Sequence, residues 1–171
     1  MYIDIGLNLT SPQFDRDRQA VLMRASNVGV EHMIITGTSV NESVAALALA
    51  RKNPERLSAT AGIHPHDAKS FDDDSLSSLR RLCSAPEIVA VGECGLDFNR
   101  DFSPRDTQKK CFSALIDLAI ECRLPLFLHQ RDAHDAFMDI LSPKAEQLVG
   151  GVVHCFTGTA EQLNAYLNMG M

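Results

Sequence analysis

Positive charge is scarce in this sequence of 171 residues. The chain has 16 Lys and Arg against 22 Asp and Glu, which gives a formal net charge of −6. A protein that holds nucleic acid by a broad basic face needs many cations beside the phosphates, so the composition excludes that binding mode. A polyanionic substrate would have to be met by a bound metal ion and a few local cations.

The sequence also lacks paired cysteines. Its five cysteines include no CxxC pair and are odd in number, which argues against a disulfide framework and against a zinc ribbon. A basic leader is absent, and no apolar run approaches the roughly 18 residues of a membrane span. These absences predict a soluble, cytoplasmic protein with no membrane partner. Because 45% of the residues are hydrophobic, we expect one globular domain over residues 1–171.

Short β-rich runs alternate regularly with longer segments of helical periodicity. Strands are predicted at 2–8, 33–37, 88–92, 126–128 and 151–153, and one more strand ends at 62–63. A helix is predicted after each strand, with Val28 and Val44 on the buried stripes of the first two helices. Four helices are predicted to begin at a polar N-cap residue: Ser39, Ser103, Asp132 and Thr159.

Six βα units in a row predict an α/β protein with a parallel sheet covered by helices. Two architectures are open at this point. A doubly wound open sheet would use all six units, whereas a TIM-type (β/α)8 barrel of typically about 250 residues would be represented by its first six units only. No glycine-rich phosphate loop follows the first strand. We favour the barrel because of where the polar residues fall.

Polar residues recur at the ends of four consecutive predicted strands. In a (β/α)8 barrel these ends meet at one mouth, where the chemistry takes place. The residues are His64 and His66 after the third strand, Glu93 and Asp97 after the fourth, His129, Arg131 and Asp132 after the fifth, and His154 after the sixth.

A metal site is predicted among these residues. One carboxylate and two imidazoles suit zinc, manganese or magnesium, and leave coordination positions open. A divalent ion there would lower the pKa of bound water and neutralise charge on a phosphoryl or carbonyl oxygen. Arg131 is predicted to hold a phosphate through two parallel hydrogen bonds.

Six stretches of the sequence resemble the TatD family of metal-dependent hydrolases. They are DIGLNL at 4–9, ITGT at 35–38, GIHPH at 62–66, GECGLD at 92–97, HQRDA at 129–133 and HCFTG at 154–158. The resemblance implies a TIM-type barrel, a divalent metal and hydrolysis of DNA or RNA, as a 3′-to-5′ exonuclease on single strands with a part in DNA repair. By motif position it gives metal-ligand roles to Glu93, His129 and His154, a substrate-side catalytic role to His64 and a phosphate role to Arg131.

The sequence departs from the family pattern in two places. Many members carry His-x-His on the first strand for a second metal, where this chain has Gly6 and Asn8, although one branch of the family also has Asn there. The family's catalytic aspartate follows the eighth strand, and no such strand is present. Because six apolar strands cannot close a barrel of eight, we expect the functional protein to continue for roughly 80 to 90 residues.

Two other functions are left open by the sequence. The first is hydrolysis of a small amide, lactone or ester in the same kind of site. The second is a truncated, non-catalytic chain that binds metal or a partner without turnover. Nothing in the sequence indicates an obligate protein partner.

Overall fold

Parallel strands alternate with helices throughout the computed structural model, which describes residues 2–171. The strands are β1 (Tyr2–Leu7), β2 (Val30–Ile35), β3 (Leu57–Ala61), β4 (Ile88–Asp97), β5 (Leu126–Arg131) and β6 (Gly151–Val153). The helices are α1 (Arg18–Asn27), α2 (Val40–Ala50), α3 (Asp73–Leu82), α4 (Arg105–Cys122), α5 (His134–Leu141) and α6 (Ala160–Asn168). Three short 3-10 helices lie at Pro12–Phe14, Pro65–Ser70 and Ser142–Gln147.

The strands lie side by side in the order in which they occur along the chain. Each strand from β1 to β5 pairs in parallel with the next, so the sheet order is β1-β2-β3-β4-β5-β6. A doubly wound sheet would place strands on both sides of the first one, so the open-sheet alternative is wrong. The sheet curls into a half-barrel with helices between successive strands, which confirms the first six units of a TIM-type barrel.

Two strands extend further than their apolar residues predict. β4 was expected to end at Gly92 and β5 at Leu128, but they remain paired through Asp97 and Arg131. Glu93, Asp97, His129 and Arg131 therefore lie within strands and do not follow them. The prediction was too short because it relied on hydrophobic periodicity, whereas a ladder of backbone hydrogen bonds can continue through polar residues.

Several predictions about the helices are confirmed and others are wrong. The hydroxyls of Ser39 and Thr159 each accept a hydrogen bond from the backbone N–H three residues later, as expected of N-caps. Ser103 does not begin α4, because Pro104 occupies the N-cap position and the Ser103 hydroxyl is used elsewhere. Asp132 does not begin α5 either, since its carboxylate accepts a hydrogen bond from Asn99.

The predicted stripes of α1 and α2 are wrong at their valines. Val28 is 73% exposed because it lies just beyond the last residue of α1. Val44 is 50% exposed because its neighbour Ser43 faces the sheet, where the hydroxyl accepts a hydrogen bond from Gly62 N at 3.2 Å. A serine on an inner face cannot be recognised from hydrophobic periodicity.

The hydrophobic core lies between the outer side of the sheet and the helices. Phe112, Leu115 and Ile116 of α4 and Phe137 of α5 are almost completely buried in it, and the rings of Phe112 and Phe137 stack with centroids 4.7 Å apart. This packing fixes the helices against the sheet and leaves the carboxyl ends of the strands for polar residues. Among residues 2–171, no helix combines the length and the apolarity that a membrane crossing requires.

Candidate metal centre

Four side chains converge at the carboxyl end of the sheet, and Glu93 lies at their centre. Glu93 Oε1 accepts hydrogen bonds from His154 Nε2 at 2.6 Å and from His129 Nδ1 at 3.1 Å. His64 Nε2 lies 3.5 Å from the same oxygen. The four residues lie on β4 and β5, just after β3 and directly after β6. The predicted convergence of four consecutive strands is therefore observed.

The position of Glu93 depends on an irregularity in the β4 ladder. Gly92 pairs with Phe127 and Cys94 with Leu128, so Glu93 is an extra residue with no partner in β5. Such bulges redirect a side chain and often occur beside active sites. The Glu93 N–H instead donates to Gly37 O, in the loop after β2, at 2.8 Å.

Glycines allow the strands to approach closely on either side of Glu93. Gly92 and Gly95 have φ values of +143° and +142°, and a side chain at either position would overlap the backbone of β5 at Phe127 or His129. Only glycine combines this conformation with this close approach. The flanking glycines are therefore part of the structure that positions the carboxylate.

The electrostatics of the cluster favour an ionised Glu93 and a neutral His64. Burial alone would raise the pKa of Glu93, but the hydrogen bonds from His129, His154 and His64 together hold it well below its usual range. Burial lowers the pKa of His64, and this effect outweighs the attraction of Glu93. The site therefore presents an ionised carboxylate beside the neutral imidazole of His64.

The hydrogen-bond partners of His64 determine which of its nitrogens carries the proton. His64 Nδ1 accepts the backbone N–H of His66 at 3.1 Å. A neutral imidazole has one donor and one acceptor nitrogen, so the proton of His64 is on Nε2. This N–H faces Glu93 Oε1 at 3.5 Å, and His129 Nδ1, which donates to the same oxygen, lies 3.3 Å away.

A second pair, His66 and Asp97, lies next to the cluster. His66 Nε2 donates to Asp97 Oδ2 at 2.6 Å. Burial would raise the pKa of Asp97, but hydrogen bonds from the backbone N–H of Arg100, from His66 and from the N–H of Asn99 lower it. Asp97 is therefore a buried anion that positions His66 and the loop after β4.

His129 connects the two acidic residues. Its Nδ1 faces Glu93, and its Nε2 is buried 3.4 Å from Asp97 Oδ2 without making a hydrogen bond to any of the described residues. A buried nitrogen without a partner is unusual and requires an explanation. One nitrogen atom each from His64 and His129 and one oxygen of Glu93 lie within 4.8 Å of one another, a spacing that fits a metal ion.

The cluster forms one wall of a cleft of about 530 Å³. Gly6 and Asn8, the positions where many family members carry His-x-His, also line this cleft. Thr38 and Cys155 contribute further lining that the sequence interpretation did not assign to the site. Asn8 contributes an amide in place of an imidazole, so this side of the cleft offers weaker metal ligands.

Arg131 is not part of the cluster. It is the last residue of β5, opposite Asp97 in the ladder, and its side chain is exposed. Within residues 2–171 its guanidinium makes no hydrogen bond or ion pair. Its phosphate role stays a prediction.

Gln108 was not predicted as a site residue, although it supports the site. Its side chain is completely buried. The amide oxygen accepts from Asp97 N at 2.9 Å, and the amide nitrogen donates to Asp97 O at 3.1 Å and to Ser103 O at 2.8 Å. The signal in the sequence is a polar residue on the face of α4 that also carries Phe112 and Leu115.

Similar proteins agree with this architecture. The chain is 52% identical over 168 residues to the 3′-5′ ssDNA/RNA exonuclease TatD of Enterobacter lignolyticus, a match that covers 98% of this chain and 64% of that protein. The corresponding protein of a Rahnella species is 50% identical with the same coverage. The chain thus spans slightly less than two thirds of the length of these curated relatives.

Solved structures give the same result. A TatD homolog from Escherichia coli K12 superposes with a TM-score of 0.89 at 32% identity, covering 99% of this chain and 65% of that one. A TatD family hydrolase from Entamoeba histolytica gives a TM-score of 0.85 at 33% identity, covering 99% and 62%. The sequence profile described as TatD related DNase matches residues 3–171. This chain therefore belongs to the TatD-related DNase family.

Proposed function

We propose that this protein is a divalent-metal-dependent hydrolase that cleaves the phosphodiester bonds of single-stranded DNA or RNA from the 3′ end. The observation that carries the proposal is the convergence of three imidazoles on the Glu93 carboxylate in an open cleft. The curated relatives named as 3′-5′ ssDNA/RNA exonucleases supply the substrate class. The acidic net charge of −6 agrees with local rather than broad contact with the substrate.

The residues of the cluster fit a metal ion. Glu93, His129 and His154 offer one oxygen and two nitrogens, and both imidazoles contact the same Glu93 oxygen, His154 Nε2 at 2.6 Å and His129 Nδ1 at 3.1 Å. We favour this set over one that includes His64, because the motif positions shared with the family assign the ligand roles to Glu93, His129 and His154; a set with His64 in place of His154 is the alternative that the spacing also allows.

The donor set suits zinc, manganese or magnesium. When bound, such an ion supplies positive charge that activates water and stabilises the phosphoryl group. The other roles belong to the chain itself. His64 Nε2–H donates a hydrogen bond to a substrate oxygen, and Arg131 binds a phosphate further along the strand.

We also propose that the chain forms one domain and acts in the cytoplasm. Buried residues from the strands and helices join in one hydrophobic cluster, which supports one domain. The five cysteines are free thiols, as is usual in a reducing compartment.

The test is nucleotide release from a single-stranded oligonucleotide labelled at its 5′ end. Mg²⁺, Mn²⁺ and Zn²⁺ are added in turn to chelator-treated protein, and a ladder shortened from the 3′ end is expected with at least one of them. His154→Ala should abolish it. His32→Ala is the matched control, because His32 bonds Ser58 outside the cluster. Turnover of a small ester without nucleotide release would favour the small-molecule alternative, and metal binding without any turnover would favour a non-catalytic chain.

A further inference from the structure

An exposed aromatic residue, Phe102, lies on the rim of the candidate metal centre. It belongs to the loop between β4 and α4 and is 58% exposed. Its ring packs edge-on against His66, with centroids 4.7 Å apart. The His66 ring in turn lies 4.3 Å from that of His64. Phe102 is therefore separated from the cluster by a single imidazole.

The loop that carries Phe102 is held in place by partly buried polar contacts. The Ser103 hydroxyl donates to His66 O at 2.8 Å and accepts from Lys69 N at 3.1 Å. At the start of the loop, the Asp97 carboxylate accepts the backbone N–H groups of Asn99 and Arg100. The ring is thus presented in a fixed position, which reduces the conformational entropy that binding would otherwise lose.

Single exposed apolar residues are common and need no explanation by themselves. Phe102 differs from Tyr2, which is 69% exposed at the first residue of β1 and so at the opposite end of the sheet. Phe102 lies towards the carboxyl end, where two exposed arginines are also found, Arg100 in the same loop and Arg131 at the last residue of β5. A flat apolar ring beside cations matches the two parts of a single-stranded nucleic acid, its bases and its phosphates.

We propose that the Phe102 ring is a stacking platform for the nucleobase next to the scissile phosphodiester bond. This proposal rests on the proposed nuclease function and adds a substrate-positioning residue to it. Stacking on an aromatic ring does not depend on base identity, so Phe102 gives affinity without sequence preference. It also explains how an acidic protein holds a polyanion, because part of the binding energy then comes from the bases.

The experiment compares Phe102→Ala with wild type on two single-stranded oligonucleotides. The two differ only at the nucleotide beside the 3′-terminal bond, which is thymidine in one and an abasic site in the other. On the thymidine substrate Phe102→Ala should raise KM about tenfold, the loss expected for one stacked base, and Phe102→Trp should restore it. On the abasic substrate wild type and Phe102→Ala should be equal. A purely structural role for Phe102 would lower activity equally on both substrates.

Two controls distinguish failure of the stacking platform from failure of the proposed nuclease function. Tyr2→Ala removes an exposed aromatic far from the cleft and should leave both KM values unchanged. The metal affinity of Phe102→Ala should equal that of wild type, since Phe102 contacts no proposed ligand. If wild type cleaves the thymidine substrate and Phe102→Ala has the same KM for it, the stacking platform is overturned and the proposed function is not. No cleavage by wild type with any divalent ion would overturn the proposed function and the platform with it.

Discussion

Replacing Gln108 with leucine should test how the end of β4 is held. Gln108 makes three hydrogen bonds, with Asp97 N, Asp97 O and Ser103 O, at 2.8 to 3.1 Å. Leucine fills a similar volume but can make none of them. A buried hydrogen bond contributes about 1 kcal/mol net, and more when its partner is left unsatisfied. We therefore expect the free energy of unfolding to fall by about 3 kcal/mol.

Thermal unfolding followed by circular dichroism measures this loss. For a protein of this size, each kcal/mol lowers Tm by roughly 2–4 °C, so Gln108→Leu should unfold at a temperature about 6–12 °C lower than wild type. The matched control is Gln19→Leu in α1, where the glutamine is exposed and the change should stay within about 0.5 kcal/mol.

The same substitution should disturb the site, because Asp97 positions both His66 and the loop that carries Phe102. KM for a single-stranded oligonucleotide should rise while the affinity for metal changes little. A Tm equal to that of Gln19→Leu would refute the reasoning, since it would mean that the backbone groups at Asp97 find other partners without loss.

Three further predictions concern the site and the thiols. Alanine at each proposed ligand should remove most of the metal affinity measured by calorimetry, for Glu93, His129 and His154 alike; wild-type affinity in all three variants would show that the site is wrongly assigned. Arg131→Ala should raise KM for nucleic acid and leave metal binding intact, whereas an unchanged KM would remove Arg131 from the site. A thiol reagent should modify the exposed Cys155 first and Cys94 only on unfolding, because burial raises the pKa of the Cys94 thiol well above its usual value; equal rates in the folded protein would contradict this.

The sequence was sufficient to predict the order of the strands and the residues of the cluster. Alternating βα units allow few topologies, and the parallel direction places all the strand ends at one edge. Glu93, His129 and His154 could therefore be brought together without coordinates. The resemblance to the family made the assignment of roles specific, since spacing alone would also have allowed His66 or Asp97.

The finer geometry could not be predicted, because it depends on contacts between strands. The bulge at Glu93 is a difference in register between β4 and β5 that neither strand shows by itself. The tautomer of His64 depends on the backbone N–H of His66, and the end of β4 depends on Gln108. These contacts join polar groups to the backbone, to which hydrophobic periodicity is insensitive.

The close approach of β4 and β5 gives the last prediction, which concerns Gly95→Ala. A methyl group at Gly95 would overlap the carbonyl oxygen of His129, a residue of the proposed metal site. Gly170→Ala is the matched control, since Gly170 also has a positive φ, +79°, but a methyl group there meets nothing within 4 Å. A side chain at positive φ costs roughly 1–3 kcal/mol by itself, and only Gly95→Ala adds a collision.

Gly95→Ala should therefore destabilise the protein by at least about 2 kcal/mol more than Gly170→Ala, because the strands must separate or the backbone must shift. The shift would move His129 relative to Glu93, so the affinity for metal should fall in Gly95→Ala and stay at the wild-type value in Gly170→Ala. Urea unfolding and metal titration of both variants measure the two effects. If both variants lost equal stability and both kept full metal affinity, the close packing of β4 on β5 would not be what positions His129.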